Sequence, residues 1–193
     1  MSPEIAQIRQ IPARAVPAEC AAILVAGRVA HVAFLADGLP HVVPITYGYD
    51  PAEPAVIYLH AAHTSRLVNR LISGETACIS VALLDGIVFS KTARGHSVNY
   101  RSVVCYGRAR QVQEREEKAR IYEAMIARYN PGRAAGVDYR PLPAQDLDAA
   151  AVLAFDIERW SAKARRGGPT GPYDADDTVP GSAGVAEVDS GRY

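Results

Sequence analysis

The sequence predicts an α+β protein built on a closed or nearly closed antiparallel β-barrel, with helices inserted between its strands. Three observations predict it. About six short runs carry the β-branched and aromatic bias of strands, with turn signals between them. Strands and helices do not alternate as a doubly wound parallel sheet requires. No Gly-rich dinucleotide fingerprint follows the first strand, and there is no P-loop. A chain of 193 residues is long enough for one domain with a substantial core and a tail.

Residues 1–27 form an N-terminal segment whose clear element is a short helix from Pro17 to Ala26, with proline in its first turn and Gly27 after its end. Arg28 to Ala36 alternates as a strand, and Asp37-Gly38 is a hairpin turn. The return strand, His41 to Tyr49, contains Pro44, which cannot donate to a ladder, so the strand lies at an edge or is kinked there. Val56 to Leu59 is the third strand, and Ala77 to Leu84 the fourth. Along the fifth, Ser97 to Val112, Val104, Tyr106, Arg108 and Arg110 share one face; Val103, Cys105, Gly107 and Ala109 share the other. Glu114 to Tyr129 is an amphipathic helix with Ile121, Tyr122, Met125, Ile126 and Tyr129 on its apolar side, stopped by Asn130-Pro131-Gly132. Asp146 starts one helical turn, and Val152 to Trp160 is the last strand. From residue 164 the chain turns acidic and small-residue, after a Gly/Pro-rich connector at 167–172. A flexible tail is expected, mobile or draped over the body.

Charge and cysteine content narrow the function. Lysine and arginine total 21 against 21 for aspartate and glutamate, which leaves no net field to draw nucleic acid or an anionic membrane. No apolar run approaches the roughly 20 residues of a spanning helix, and no signal peptide is evident, so a cytoplasmic protein is expected. Cys20, Cys78 and Cys105 sit in apolar surroundings without zinc-site spacing and read as buried thiols.

The most informative stretch is Val56 to Leu71. A strand runs into a helix through His60-Ala61-Ala62-His63-Thr64-Ser65-Arg66. Thr64 or Ser65 is a natural N-cap, the first helical turn offers unpaired N–H groups, and Arg66 adds a planar cationic fork. The junction can therefore grip a phosphate. The same residues also suit an ordinary cap beside a solvated arginine, and the segment alone leaves both readings open.

Four segments in order carry a resemblance: Gly38–Tyr49 (GLPHVVPITYGY), Ile57–Ala62 (IYLHAA), Ser97–Ala109 (SVNYRSVVCYGRA) and Ile157–Lys163 (IERWSAK). Together they resemble the pyridoxamine 5′-phosphate oxidase-like, FMN-binding split-barrel proteins, nearest the flavin-nucleotide-binding and nitroimidazole-resistance branches. The resemblance runs from about Arg28 to Lys163. It implies a six-stranded split barrel over residues 28–163 and a homodimer with flavin in clefts between the protomers. It also implies backbone contacts from Val43, Pro44, Ile45 and Thr46 to the flavin ring. The segment His60 to Leu67 would wrap the ribityl chain and phosphate, with Ala61, Thr64, Ser65, Arg66 and Leu67 at the cofactor. Tyr100, Arg101, Ser102, Trp160 and Lys163 would line the cleft. His60 matches a histidine at the cofactor or substrate site of the nitroimidazole-resistance proteins, and a proton-exchanging role there is implied.

One departure matters. The true oxidases carry a second basic residue immediately after the arginine, where this chain has Leu67. Lys91, Arg101 or Lys163 is then expected to meet the phosphate charge. The implied function is an FMN protein, with FAD as the alternative flavin, passing hydride or electrons from NAD(P)H to a small acceptor such as a nitroimidazole. Two other classes compete: a flavin-binding module without turnover, and a haem-binding or haem-degrading split barrel with His60, His63 or His96 as ligand.

Overall fold

The structure, a computed structural model, describes residues 3–188. Its elements are α1 (Cys20–Ala26), β1 (Val29–Ala36), β2 (Leu39–Thr46), β3 (Val56–Ala62), α2 (Arg66–Leu71), β4 (Ala77–Phe89), β5 (Ser97–Gln111), α3 (Arg115–Tyr129), α4 (Ala144–Ala149), β6 (Ala150–Arg165) and β7 (Gly184–Glu187). The strands follow the order β2-β1-β4-β5-β6-β3, with β7 added on β4. Contacts cluster into two units, and β4, β5 and β6 each pass from one to the other.

The first unit holds Arg28–Ser80 and Val104–Trp160. The β1–β2 hairpin closes through Asp37 and Gly38, both at positive φ (54° and 75°), the pair that a tight right-twisted hairpin demands. Alternation on β1 buries Ala30, Val32, Phe34 and Ala36 and exposes Val29, His31 and Leu35. Pro44 faces His31 across the ladder, and β2 ends the strand order, as expected of a strand interrupted by proline. On β5, Val103, Cys105, Gly107 and Ala109 are buried and the alternate residues are not, so the two faces divide as their spacing predicts.

The other end strand, β3, pairs with β6 from Val56↔Asp156 to Ala62↔Ala150. Residues 151–155 are buried without alternation because α3 packs on the outer face of this ladder. Ile121 and Met125 from α3 join Val112, Val152 and Ala154 there, with Val56, Tyr58 and Tyr122 alongside. The two end strands meet at one bridge, Gly48 N–H to Tyr58 C=O at 2.8 Å and Tyr58 N–H to Gly48 C=O at 2.9 Å. A Cβ on Gly48 would stand 3.0 Å from Met125 Cγ and 3.2 Å from Tyr58 Cβ, so glycine permits this close approach under α3. Tyr129 secures the same corner: its hydroxyl donates to Arg28 C=O at 2.7 Å and accepts from Tyr47 N–H at 3.0 Å.

The second unit contains α1, Val81–Val103 and the chain from Ser161 onward. The expected flexible tail is pinned as far as it is described. β7 pairs antiparallel with β4 from Gly86↔Glu187 to Phe89↔Gly184, and Asp174 accepts from Ser90 Oγ and Lys91 N–H, both at 2.8 Å. A composition argument counts apolar area and misses this, because a short ladder and charge-assisted hydrogen bonds need little of it. Cys20 and Cys105 are buried free thiols and Cys78 is half-buried, in line with the sequence reading.

Tyr129→Phe leaves a carbonyl and an amide without their partner at the corner beside the bridge. It is expected to lower unfolding stability by about 1–3 kcal/mol, measured by urea denaturation.

Candidate functional site

The β3–α2 junction forms as the sequence suggests, and it resolves which hydroxyl caps. Ser65 is the N-cap, its Oγ accepting from Val68 N–H at 3.2 Å, which leaves Thr64 exposed and uncommitted. Arg66, the first residue of α2, is exposed and has no carboxylate partner among the described residues. Thr64, Arg66, Asn69, Arg70 and Asp37 line one open pocket of about 610 Å³. Leu67 has no place in it, because its side chain is buried with those of Val68 and Leu71.

Arg70 is the residue that sequence reasoning missed. It stands four positions after Arg66, one helical turn on and therefore on the same face. That spacing was the available signal. Arg70 Nη2 reaches Asp37 Oδ1 at 2.8 Å, so one acid at the hairpin turn aims the second guanidinium at the pocket rim. Of the cations expected to replace the missing one at position 67, Lys91 donates to Asp176 C=O at 2.7 Å and Arg101 is held by Asp85.

Along β3 toward this pocket, His60 lies against Tyr122, with ring centroids 5.2 Å apart at 55°. His60, Ala61, Ala62, Tyr122, Asp146, Ala149 and Ala150 surround a second pocket of about 390 Å³, mostly walled by small residues. His60 Nδ1 is buried without a hydrogen-bond partner. Burial lowers the imidazole pKa from 6.5 and raises that of the Tyr122 phenol. His60 is therefore neutral near pH 7. His63 differs: its Nε2 is 3.2 Å from Asp148 C=O and donates to it.

Val43, Pro44, Ile45 and Thr46 lie on β2, whose outer edge has no ladder partner among the described strands. The register at the Gly48·Tyr58 bridge, carried two residues further, would set Thr46 against His60, but no ladder forms there. The end strands part at that point, leaving backbone groups free beside the β3–α2 junction. Trp160, in the same unit, is half-buried and lines a shallow pocket with Pro54, Ala55, Ile157, Glu158 and Arg159.

The remaining expected residues belong to the second unit. Arg101 binds Asp85 through two bonds, Nε to Oδ2 at 2.9 Å and Nη2 to Oδ1 at 2.7 Å. Ser102 Oγ donates to Lys163 C=O at 3.4 Å, Lys163 bridges Ala15, and Tyr100 is half-buried on the same strand. His96 Nδ1 lies 3.0 Å from Thr92 C=O; a carbonyl only accepts, so Nδ1 is the donor.

The profile of the pyridoxamine 5′-phosphate oxidase family matches residues 17–164. The chain belongs to that family. Solved structures agree with the profile: a flavocytochrome from Azotobacter vinelandii is similar at 30% identity and a TM-score of 0.81, over 96% of this chain and 83% of that one. A FAD and haem binding protein from Mycobacterium smegmatis is similar at 28% identity and a TM-score of 0.77, over 91% and 84%. A candidate 5-nitroimidazole antibiotic resistance protein from Bacteroides thetaiotaomicron shares the fold, at 18% identity and a TM-score of 0.63 over 76% and 82%. No curated protein matches significantly. As a member of the family, the chain has the α+β antiparallel split-barrel fold that its four segments suggested.

Two outcomes follow from this geometry. Arg66→Ala and Arg70→Ala are each expected to weaken flavin-nucleotide binding about 10-fold or more, read by fluorescence titration; unchanged affinity in both would remove the phosphate from this pocket. Because the folded His60 pKa lies below the unfolded one, the unfolded state binds more protons between the two values. Stability is therefore lost as pH falls from about 6.5 toward the lowered pKa, and His60→Asn should flatten that part of the pH–stability curve.

Proposed function

We propose that this chain is a flavin-nucleotide-binding oxidoreductase that acts as a homodimer. The observation that carries the reading is the pocket at the β3–α2 junction, where Arg66 and Arg70 converge with Thr64 and Asn69 beside Asp37 of the β1–β2 turn. Family membership and the two relatives described with a flavin support it. The two guanidiniums neutralise a phosphate, Thr64 donates to it, and the Ser65 cap holds the turn that presents both. Main-chain groups of Val43, Pro44, Ile45 and Thr46 face the ring, and FMN and FAD both satisfy this arrangement. A flavin so held supplies hydride and electron exchange, from reduced nicotinamide to a small acceptor of the nitroimidazole kind. His60 would relay a solvent proton to the reduced acceptor, one ring nitrogen taking it up as the other gives one.

The homodimer is supported by the outer face of the β1–β2 hairpin. Val29, Leu35 and Val42 share that face and are exposed at 44%, 61% and 61%, an apolar surface suited to a second copy.

A second reading, that the chain also carries haem, is favoured by the two relatives described as a flavocytochrome and as a FAD and haem binding protein. His96 would be the residue to hold it. One nitrogen is tied to a backbone carbonyl and the other is open, the second-shell arrangement that metal-bound histidines use.

The test is the visible spectrum of the purified protein, before and after titration with FMN, FAD and haemin. Flavin bands together with nicotinamide-dependent reduction of an acceptor are expected. Val42→Glu should release both the dimer and the flavin, seen by sedimentation. Flavin binding without nicotinamide turnover would return the protein to a binding module. A Soret band lost in His96→Ala would add haem, and binding of neither cofactor would refute the proposal.

A further inference from the structure

The C-terminal strap and the turn between β4 and β5 form one hydrogen-bonded unit with His96 at its end. Ser90, among the few buried polar residues, is its hub: its Oγ donates to Asp174 Oδ1 at 2.8 Å and accepts from Thr92 N–H at 3.1 Å. Asp174 Oδ1 also accepts from Lys91 N–H at 2.8 Å, while its Oδ2 accepts from Gly171 N–H at 2.6 Å. The carboxylate thus ties the strap to two consecutive residues of the turn. Thr92 C=O, oriented by the same turn, accepts from Gly95 N–H at 3.0 Å and from His96 Nδ1 at 3.0 Å. A Cβ on Gly95 would stand 2.1 Å from Ser90 Oγ, so the turn closes this tightly only with glycine there.

We infer that Asp174 is a positioning residue for His96, acting through Ser90 and Thr92 to hold the imidazole with its proton on Nδ1 and the Nε2 lone pair open. No motif marks this role. Asp174 lies 78 residues from His96 in a segment whose composition suggests only a tail. The charge matters because an ionised carboxylate accepts several bonds at once, which neither the amide nor the methyl of a replacement can reproduce. The consequence is a ligand position, Nε2 of His96, for a metal-bearing cofactor, and that consequence alone rests on the haem reading. The strap would then couple the C-terminal segment to axial ligation.

The experiment is two-bond ¹H–¹⁵N NMR of the histidine rings at pH 8 in the full-length protein without added cofactor. Wild type is expected to show His96 as the Nδ1–H tautomer. In Asp174→Ala the His96 signals should move toward the Nε2–H tautomer that an unconstrained histidine side chain prefers, while His60 and His63 stay unchanged. Asp174→Asn keeps the side-chain volume and should shift His96 in the same direction. Asp177→Asn, in the same acidic stretch, should leave it alone. A His96 tautomer unchanged in folded Asp174→Ala and Asp174→Asn, or a wild type already in the Nε2–H form, would overturn the inference. With haemin added, wild type should give a His-ligated Soret spectrum that Asp174→Ala weakens. Absence of any Soret band in wild type would reject the haem reading and leave the tautomer result standing.

Discussion

Two backbone hydrogen bonds between Gly48 and Tyr58 set the conditions for everything else in the first unit. Among the described residues they are the one point where the chain just past β2 pairs with β3. On one side α3 covers the closed corner, with Met125 against Gly48 and Tyr129 bonded to Arg28 and Tyr47. On the other side β2 and β3 separate and leave main-chain donors and acceptors without ladder partners. Unpaired backbone in a sheet is costly unless water or a ligand meets it. The split is therefore where this fold can hold a flat, hydrogen-bonding molecule, and β3 carries the chain from the split into the pocket lined by Arg66 and Arg70.

The electrostatics of that pocket depend on what is absent as much as on what is present. Among the described residues Arg66 has no carboxylate partner, whereas Arg101 is held by Asp85, and Arg166 and Arg115 pair with Glu19 and Asp148. An exposed ion pair contributes little to stability, so these pairs are better understood as settling which cations remain free. Arg70 sits between the two cases. Its bond to Asp37 comes from the hairpin turn, so the same residue pair that gives β1 and β2 their register also orients the second cation of the pocket.

Much of this was legible in the sequence. Asp37-Gly38, the interrupted strand at Pro44, the period-2 faces of β5 and the capped junction at Ser65 are local signals, and each formed where expected. What escaped was set by distance along the chain. By resemblance Leu67 was expected at the cofactor, yet the helical period turns it into the core, and Arg70, one turn later, lines the pocket instead. Arg101 matched a cleft position, but its partner Asp85 lies on a neighbouring strand whose register no motif announces. The run 151–155 does not alternate because α3 covers it, a tertiary fact. The tail was expected to be flexible, mobile or draped over the body; its anchors, which composition does not show, are a carboxylate and a four-residue ladder rather than apolar bulk.

The central claim is that a flavin phosphate is gripped by Arg66 and Arg70. It is tested most directly by the ratio of FMN to riboflavin affinity, since the two ligands share a ring and differ by the phosphate. Titration calorimetry on wild type and on the Arg66→Ala/Arg70→Ala double variant gives that ratio. FMN is expected to bind wild type about 100-fold more tightly than riboflavin, and the double variant should bring the two affinities together. Equal affinities in wild type, or a ratio untouched by the double variant, would contradict the account.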